Sequence, residues 1–356
     1  MTDRAALRTP FCDLVGTDWP IVQTGMGWVA YPPLAAAASG AGALGIVASA
    51  MMTFDDLVKA FAEVQAATDR PFGVNLRADA PDASERIALM AREGVRVVSF
   101  AQAPRPELIA QAKESGMVVV CSIGARRHAE KVAGWGADAV IVQGGEGGGH
   151  TGQVPTTLLL PQVVDAVGDR LAVIGAGGFF DGRGLVAALA YGAQGIAMGT
   201  RFLLTRESPV APAVKDVYLA KSVTDTVVTT QVDGVPHRVL RTELVDTLER
   251  SGHVASLWRA ARNAVAFKRL SGARWADVIR EGMAMKRAQE LTWSQVVMAA
   301  NTPMLIKLAL VDGRPDIGVM ASGQVVGLIG DLPPCVELVD RIVAEAVEVL
   351  DRLSAT

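Results

Sequence analysis

The sequence predicts an α/β fold, a (β/α)8 TIM barrel with a helical accessory region. Between positions 20 and 200, eight short apolar runs alternate with longer, alanine-rich segments of helical periodicity. The runs are continuously apolar, which is typical of parallel strands buried on both faces. Glycines follow the first, second, sixth, seventh and eighth runs. That distribution favours a barrel, whose active site is built from many loops at the carboxyl ends of its strands.

The eight predicted strands are separated by segments of helix length. They are Pro20–Gly25, Ala43–Ser49, Phe72–Leu76, Arg96–Phe100, Met117–Ile123, Ala139–Gly145, Ala172–Gly178 and Gly195–Thr200. A helix is predicted to open at Thr53, with acidic residues in its first turn, and another to end at Gly136. A doubly wound open sheet is the competing architecture, but it normally has fewer strands and one nucleotide loop after the first strand.

The pattern changes after Thr200. From about Ser208 to Ala300 the chain is richer in charge, tryptophan and helical spacing, and Glu337–Leu353 has the periodicity of an amphipathic helix. We therefore predict a barrel over residues 1–207 and 301–356, with the last helix returning to its wall. Residues 208–300 are predicted to form a helical cap over the barrel mouth.

Composition excludes several classes of protein. The 356 residues are 50% hydrophobic and 20% charged, as in an ordinary globular protein, and a net charge of −3 argues against nucleic acid as a partner. The widely spaced Cys12, Cys121 and Cys335 indicate neither a disulfide framework nor a zinc site. The N-terminus has no apolar signal core, and no apolar run reaches the roughly 20 residues of a membrane span. We expect a cytoplasmic protein without a membrane partner; association into a homo-oligomer is left open.

The segment from Ile141 to Gln153 places an apolar strand against six glycines and a histidine. Each glycine costs roughly 0.5–1 kcal/mol relative to alanine, so a bulky flat group is expected to approach this backbone. Gln143, Gly148, Gly149 and His150 are then candidates to contact it. Imidazole changes charge near neutral pH, which suits general acid or base catalysis. Alternatively, His150 forms hydrogen bonds that pin the loop.

Two further glycine loops follow the seventh and eighth predicted strands. Gly177 and Gly178 in the first, and Gly199 and Thr200 in the second, expose backbone N–H groups where a helix begins. Such N–H groups bind anions, and barrels often bind phosphate with these two loops. The alternative is that these glycines are ordinary turn residues.

Other candidates lie at the ends of further strands and near the C-terminus. They are Gly25, Met26 and Gly27 after the first strand, Asn75 at the end of the third, Gln102 after the fourth, and Gly323 and Gln324 in a late glycine loop. Met26 fits a core position by default, and Asn75 also fits an Asx turn. His128, His237 and His253 stand in helical or charged contexts and are predicted to be surface residues. Motifs for dinucleotide, Walker, serine-hydrolase or metal chemistry are not found in the sequence.

In order, QTGMGW, GALGIVAS, GVNLR, VQGGEGGGHTG, GAGGFFDGRG and AMGTRFL resemble motifs of the flavin-dependent nitronate monooxygenase family. This family includes FMN-dependent enoyl-acyl carrier protein reductases. The resemblance implies FMN on the barrel and His150 as the catalytic histidine. The residues that it implies for FMN are Gly25, Met26, Asn75, Gln143, Gly148, Gly177, Gly178, Gly199 and Thr200; Gly27, Gly149, Gly323 and Gln324 complete the predicted set. One departure is EGGGHTG, where nitronate monooxygenases usually have EAGGHRG.

The chain looks most similar to a branch of this family implicated in the breakdown of steroid C and D rings. That resemblance implies NADH- or NADPH-dependent reduction of an unsaturated, ring-bearing CoA thioester by hydride transfer through FMN. Candidate CoA contacts are Arg126, Arg127, Lys286 and Arg287, although charged helix faces are usually only solvated. The alternative is a nitronate monooxygenase that oxidises alkyl nitronates with O2. A non-catalytic flavin-binding module and a flavin-free phosphate-binding barrel lyase are the remaining hypotheses.

Overall fold

A computed structural model describes residues 3–101, 104–232, 234–250 and 302–355. The chain divides into two compact units. The barrel unit comprises Met1–Gly147, Gly152–Pro209 and Ile329–Thr356, and the second unit comprises Gly148–Thr151 and Val210–Leu328. The predicted boundaries at 207/208 and 300/301 stay a prediction.

Eight parallel strands close the barrel, in the order β1-β2-β3-β4-β5-β6-β8-β9. They are β1 (Ile21–Gln23), β2 (Leu44–Ala48), β3 (Phe72–Leu76), β4 (Val97–Phe100), β5 (Val118–Ile123), β6 (Ala139–Gln143), β8 (Ala172–Ala176) and β9 (Ile196–Met198). Closure comes from β1 pairing with β9, Val22 opposite Ala197. Each strand lies within one of the eight predicted runs. The TIM-barrel prediction is confirmed.

Helices connect the strands and surround them. They are α1 (Pro10–Val15), α2 (Pro32–Gly40), α3 (Phe54–Ala67), α4 (Ala83–Arg92), α5 (Pro106–Glu114), α6 (Arg126–Gly134), α7 (Thr156–Val167), α8 (Gly182–Ala190), α9 (Thr200–Leu203) and, at the end of the chain, α13 (Cys335–Ser354). As predicted, α3 opens on Thr53, which forms a capping box with Asp56. A Cβ at Gly182 would lie 2.4 Å from the backbone N of Ala346, so this glycine allows α8 and α13 to approach closely. The predicted return of the last helix to the barrel wall is confirmed.

Aliphatic side chains fill the barrel interior. The core cluster includes Val22, Leu44, Ile46, Val97, Val118, Val120, Ile141 and Ile174, joined by Phe11 and Val15 of α1. These side chains fill the space enclosed by the strands, which is therefore a packed core and not a ligand cavity. The chemistry of the barrel unit is therefore expected in the loops at the carboxyl ends of its strands.

The second unit contains helices and a small antiparallel sheet. Its helices are α10 (Pro212–Leu219), α11 (Glu243–Arg250) and α12 (Thr302–Leu310), with a 3-10 helix at Gln324–Leu328. Its strands, in the order β10-β11-β7, are β10 (Thr226–Thr229), β11 (His237–Leu240) and β7 (Gly149–His150). The sheet was not predicted, and the helical cap expected over residues 208–300 stays a prediction. None of the described helices is long and apolar enough to cross a membrane.

Candidate active site

The loop after β6 is anchored by a carboxylate that the sequence did not mark as important. Glu146 accepts hydrogen bonds from the backbone N–H of Thr156, at 3.0 Å, and from its hydroxyl, at 2.7 Å. Thr156 is the first residue of α7, so Glu146 caps that helix. A Cβ at Gly144 would lie 2.0 Å from the Thr156 hydroxyl oxygen. The absence of a side chain at Gly144 therefore leaves room for the hydrogen bonds between Thr156 and Glu146, which we call the Glu146–Thr156 clamp.

Gln143, the last residue of β6, lies against Gly147. A Cβ at Gly147 would approach Nε2, Cγ and Cδ of the glutamine to 2.6–2.8 Å. Real Cβ contacts are essentially never that short. The absence of a side chain at position 147 thus allows the Gln143 amide to take its observed place.

The loop after β8 meets the loop after β6. Gly177 and Gly178 have φ values of 88° and 85°, the left-handed region that favours glycine. A Cβ at Gly177 would lie 3.1 Å from the carbonyl oxygen of Gly144 and 3.1 Å from the N of Gly147, while one at Gly178 would meet nothing within 4 Å. The structure therefore brings these two predicted loops together and leaves Gly178 facing open space.

The N-terminus of α8 differs from the sequence expectation. The N–H of Gly182 donates to Glu345 at 2.8 Å, and the N–H of Gly184 donates to Asp181 at 2.9 Å. These two donors are engaged by carboxylates, whose negative charge would also repel a phosphate. A phosphate bound by this loop would use the Gly177–Gly178 backbone instead.

The loops after β1 and β9 also meet. A Cβ at Gly199, which precedes α9, would lie 3.2 Å from the Thr24 hydroxyl oxygen and 3.4 Å from the Met26 sulfur. A Cβ at Gly25 would lie 2.3 Å from Cβ of Asn75. Gly25, Met26, Asn75 and Gly199 are thus neighbours, as the barrel prediction requires.

Asn75 and Trp28 show how these loops are held. The side-chain NH2 group of Asn75 donates to the Ser99 carbonyl of β4, at 3.2 Å, which ties the end of β3 to the neighbouring strand. Trp28 has a φ of 67°, the one positive value for a non-glycine among the described residues. A bulky residue in that region stores strain, which is concentrated at functional sites. Neither spacing nor composition indicated Trp28.

In the second unit, the structure brings together Gly148, Gly149, His150 and the late glycine loop. A Cβ at Gly148 would lie 2.5 Å from the N of Gly323, so the two backbones touch. Gln324 begins the 3-10 helix that follows. His150 is exposed on β7, where its ring centroid lies 4.6 Å from that of His237 at an interplanar angle of 47°.

The surface prediction for His237 is wrong. Only 2% of this residue is exposed, because β11 is the central strand of the sheet and pairs with β10 and β7. His128 is half-buried on α6, where burial and the charges of Arg127 and Lys131 lower its pKa. His253 lies outside the described residues.

The predicted CoA contacts are described only in part. Arg126 and Arg127 are exposed in the first turn of α6, and Arg126 bonds Glu130 at 2.8 Å. Lys286, Arg287 and Gln102 lie outside the described residues.

A buried arginine side chain follows the glycine loop after β9. Arg201, whose side chain is 3% exposed, bonds Asp331 at 2.8 Å, and Asp331 also accepts from Arg341 at 2.6 Å. Partial burial raises the pKa of Asp331, but the bonds from Arg341 and Arg201 outweigh it and hold that pKa below its usual range. This network joins α9 to the segment that leads into α13.

Cysteine and metal chemistry find no support in the described part of the chain. Burial raises the pKa of the Cys121 and Cys335 thiols to about 12, so neither forms a thiolate nucleophile near neutral pH. No group of three histidine, cysteine, aspartate or glutamate side chains is arranged to hold a metal ion there.

Comparison with known proteins assigns the family. The model of the nitronate monooxygenase family matches residues 8–345. The chain belongs to this family. Two relatives, from Rhodococcus jostii (strain RHA1) and Mycobacterium tuberculosis (strain ATCC 25618 / H37Rv), are each named (3aS,4S,5R,7aS)-5-hydroxy-7a-methyl-1-oxo-octahydro-1H-indene-4-carboxyl-CoA dehydrogenase. The first is 59% identical over 99% of both chains, and the second is 61% identical over 98% of this chain and 99% of its own.

Solved structures agree with this family. FabK from Thermotoga maritima is 35% identical, with a TM-score of 0.78 over 98% of this chain and 99% of its own. Nitroalkane oxidase from Streptomyces ansochromogenes is 26% identical, with a TM-score of 0.74 over 96% and 99%. This nitronate monooxygenase family member is therefore an oxidoreductase on a TIM barrel.

Proposed function

We propose that the chain is an FMN-dependent oxidoreductase that acts on a CoA thioester carrying a fragment of the steroid ring system. The identity of 59% and 61% to relatives named as dehydrogenases of such a thioester, over essentially the whole chain, carries this proposal. A nicotinamide nucleotide, NADH or NADPH, is proposed as the co-substrate.

The backbone of the barrel unit fits FMN. Gly27 and Gly178 face open space after β1 and β8, and a Cβ at either would project into it. The consecutive left-handed residues Gly177 and Gly178 suit a backbone that approaches a phosphate closely. We propose that FMN is held by Gly25, Met26, Gly27, Asn75, Gln143, Gly177, Gly178, Gly199 and Thr200 of the barrel unit; the FMN contacts predicted for Gly148, Gly149, Gly323 and Gln324, in the second unit, stay predictions.

Bound FMN supplies two-electron transfer between the nicotinamide and the carbon skeleton. The protein must supply the proton. In reduction, His150 is proposed to donate a proton to the carbon next to the thioester carbonyl, and in dehydrogenation to remove it. That carbon is acidified by the carbonyl, so a single imidazole serves both directions.

The two directions of this reaction are distinguished by the substrate. Reduction consumes NAD(P)H and an unsaturated acyl-CoA, and it is the direction that the sequence resemblance implies. Dehydrogenation consumes the saturated thioester and the oxidised nucleotide, NAD+ or NADP+, and it is the direction in the relatives' name. Because both use the same site, assays of either direction test the proposal.

The first test is the cofactor. The purified protein is heat-denatured and its supernatant is separated by liquid chromatography against FMN, FAD and riboflavin standards. One FMN per chain is expected. A colourless protein that does not bind added FMN would refute the flavin site and leave the barrel lyase hypothesis.

The second test separates the reductase from the oxygenase. Anaerobic protein is mixed with NADH, NADPH or an alkyl nitronate, and the flavin absorbance is followed. Bleaching by a nicotinamide nucleotide, reversed by an unsaturated acyl-CoA, is expected; saturated acyl-CoA is expected to bleach the flavin directly. Bleaching by the nitronate alone would instead identify a nitronate monooxygenase.

A further inference from the structure

Three residues form one row across the sheet of the second unit. In the antiparallel registers, His237 of β11 lies opposite Thr229 of β10 and opposite His150 of β7. Directly opposed residues of antiparallel strands project from the same face. His237 is therefore enclosed between a buried threonine and the candidate catalytic histidine.

The backbone around His150 is built to keep this pairing. Gly149 has a φ of 75°, which favours glycine, and it pairs with Arg238. On the other side, the N–H of Thr151 donates to the carbonyl of Pro236 at 3.2 Å. β11 is thus the template on which the short strand carrying His150 is fixed.

The two imidazole rings are in contact but differ in exposure. Their centroids are 4.6 Å apart and tilted by 47°, a spacing typical of packed aromatic rings. His237 is 2% exposed, whereas His150 is exposed. A ring fixed in the interior therefore limits the orientations of a ring that reaches solvent.

We propose that His237 is a positioning residue, whose buried ring fixes the imidazole of His150 for proton transfer. This inference rests on the proposed function, in which His150 moves the proton. An imidazole that can rotate away spends less time in the orientation the reaction needs, so loss of the contact lowers the rate of the chemical step. Substrate binding is not expected to depend on it.

The test compares four variants of the full FMN-loaded protein. His237→Ala removes the ring, His237→Leu fills the same buried volume without a ring, and His237→Phe restores a ring. Val239→Ala is the matched control, since Val239 is fully buried two residues along β11. Turnover of acyl-CoA with NAD(P)H gives kcat and KM, and melting temperature and FMN content report folding.

A second readout does not depend on turnover. Diethyl pyrocarbonate modifies accessible imidazoles, and mass spectrometry of the peptide containing His150 gives its rate of modification. Without the ring of His237, the rate at His150 is expected to rise several-fold. With phenylalanine at 237, or alanine at 239, it is expected to match that of the unaltered protein.

The expected kinetic result is a fall in kcat of about 10- to 100-fold for the alanine and leucine variants, with KM unchanged. The phenylalanine variant and the Val239→Ala control should stay within about threefold of the unaltered protein. Unchanged kcat in the alanine and leucine variants would overturn the proposal, and so would a loss of kcat without faster modification of His150. Failure of His237→Phe to restore kcat would also overturn it, because ring packing would not be the cause.

Failure of the proposed function has a different signature. If the unaltered protein turns over no acyl-CoA, or if His150→Ala keeps full turnover, the assigned reaction or the role of His150 is wrong. The modification rates would still show whether His237 restrains His150. If His150→Ala abolishes turnover while the His237 variants retain it, the function stands and the positioning role falls.

Discussion

Position 147 shows how one missing side chain orients another. Gln143 ends β6 and Gly147 lies in the loop that follows, and the glutamine side chain occupies the space that a Cβ at 147 would require. The sequence departs here from the alanine usual in nitronate monooxygenases. The departure therefore concerns the placement of a proposed FMN ligand and not only the flexibility of the loop.

Gly147→Ala is expected to weaken FMN binding by about tenfold, equivalent to about 1.4 kcal/mol. The new methyl group would force Gln143 away from its present place, because the contact would be 2.6 Å. Fluorescence titration of the apoprotein with FMN measures the affinity. Gly134→Ala is the matched control, since a Cβ at Gly134, the last residue of α6, meets nothing within 4 Å. Equal affinities in the two variants would contradict the role of Gly147.

At the scale of elements, α7 depends on the loop that precedes it. Its first residue, Thr156, is 5% exposed and donates to Glu146 with both its hydroxyl and its backbone N–H. The carboxylate thereby fixes the loop after β6 to the start of a helix. The conformation of this loop at the proposed flavin site and the stability of α7 therefore depend on the same hydrogen bonds.

Thr156→Val is expected to destabilise the protein by about 1–2 kcal/mol, because Glu146 loses one of its donors in a part-buried position. FMN affinity should fall as well, since the loop loses its anchor. Thr157→Val makes the same chemical change at the next, exposed residue and should alter neither quantity. Thermal melting and FMN titration of both variants provide the comparison; a Thr157→Val effect as large as that of Thr156→Val would rule out the clamp.

The link between α9 and α13 predicts a pH dependence. The pKa of Asp331 is held below its usual range by Arg341 and Arg201, so its contribution is complete above the unfolded-state value of about 4 and is lost as pH falls through the lower folded-state value. Asp331→Asn should cost about 0.5–1 kcal/mol near pH 7, a modest figure because the carboxylate is 44% exposed.

Melting temperatures of the unaltered protein and Asp331→Asn should therefore differ by a constant amount from pH 5 to pH 8 and converge below about pH 4. Convergence is expected because protonation removes the negative charge from Asp331 in both states. A difference that persists unchanged in acid would show that the ion pairs do not stabilise the fold.

At the scale of the whole molecule, the barrel was predictable and the second unit was not. Parallel strands buried on both faces, such as Val118–Ile123, appear in the sequence as continuous apolar runs and can be recognised there. The sheet of the second unit has strands of two to four residues, and its pairing of His150 with His237 joins positions 87 apart in sequence. No local pattern records such a pairing, so His237 was misassigned to the surface. The loop glycines, by contrast, could be singled out from the sequence, because each glycine by itself lowers the stability of the fold relative to alanine.

The barrel loops further predict which part of FMN matters most. If the backbone at Gly177, Gly178, Gly199 and Thr200 holds the phosphate, riboflavin, which has the same ring but no phosphate, should bind far more weakly. Ligands that bind only the folded state stabilise it by an amount that grows with their concentration relative to Kd, about 2.7 kcal/mol at 100 times Kd. FMN at that excess should therefore raise the melting temperature of the apoprotein, and riboflavin at equal concentration should raise it little.

Gly178→Ala tests whether the backbone at Gly178 causes the difference between FMN and riboflavin. The substitution places a methyl group in the open space at Gly178 and strains a φ of 85°, so part of its cost is lost stability of the apoprotein itself. Its effect on binding is measured as the difference in melting temperature between the apoprotein and the FMN-loaded protein of the same variant. Both forms carry the strain, so the strain does not contribute to this difference. The FMN shift should shrink toward the riboflavin shift, because the phosphate loses its closest backbone approach. Equal shifts for FMN and riboflavin in the unaltered protein would mean that the ring alone is recognised, and the glycine loops after β8 and β9 would then be turns without a phosphate.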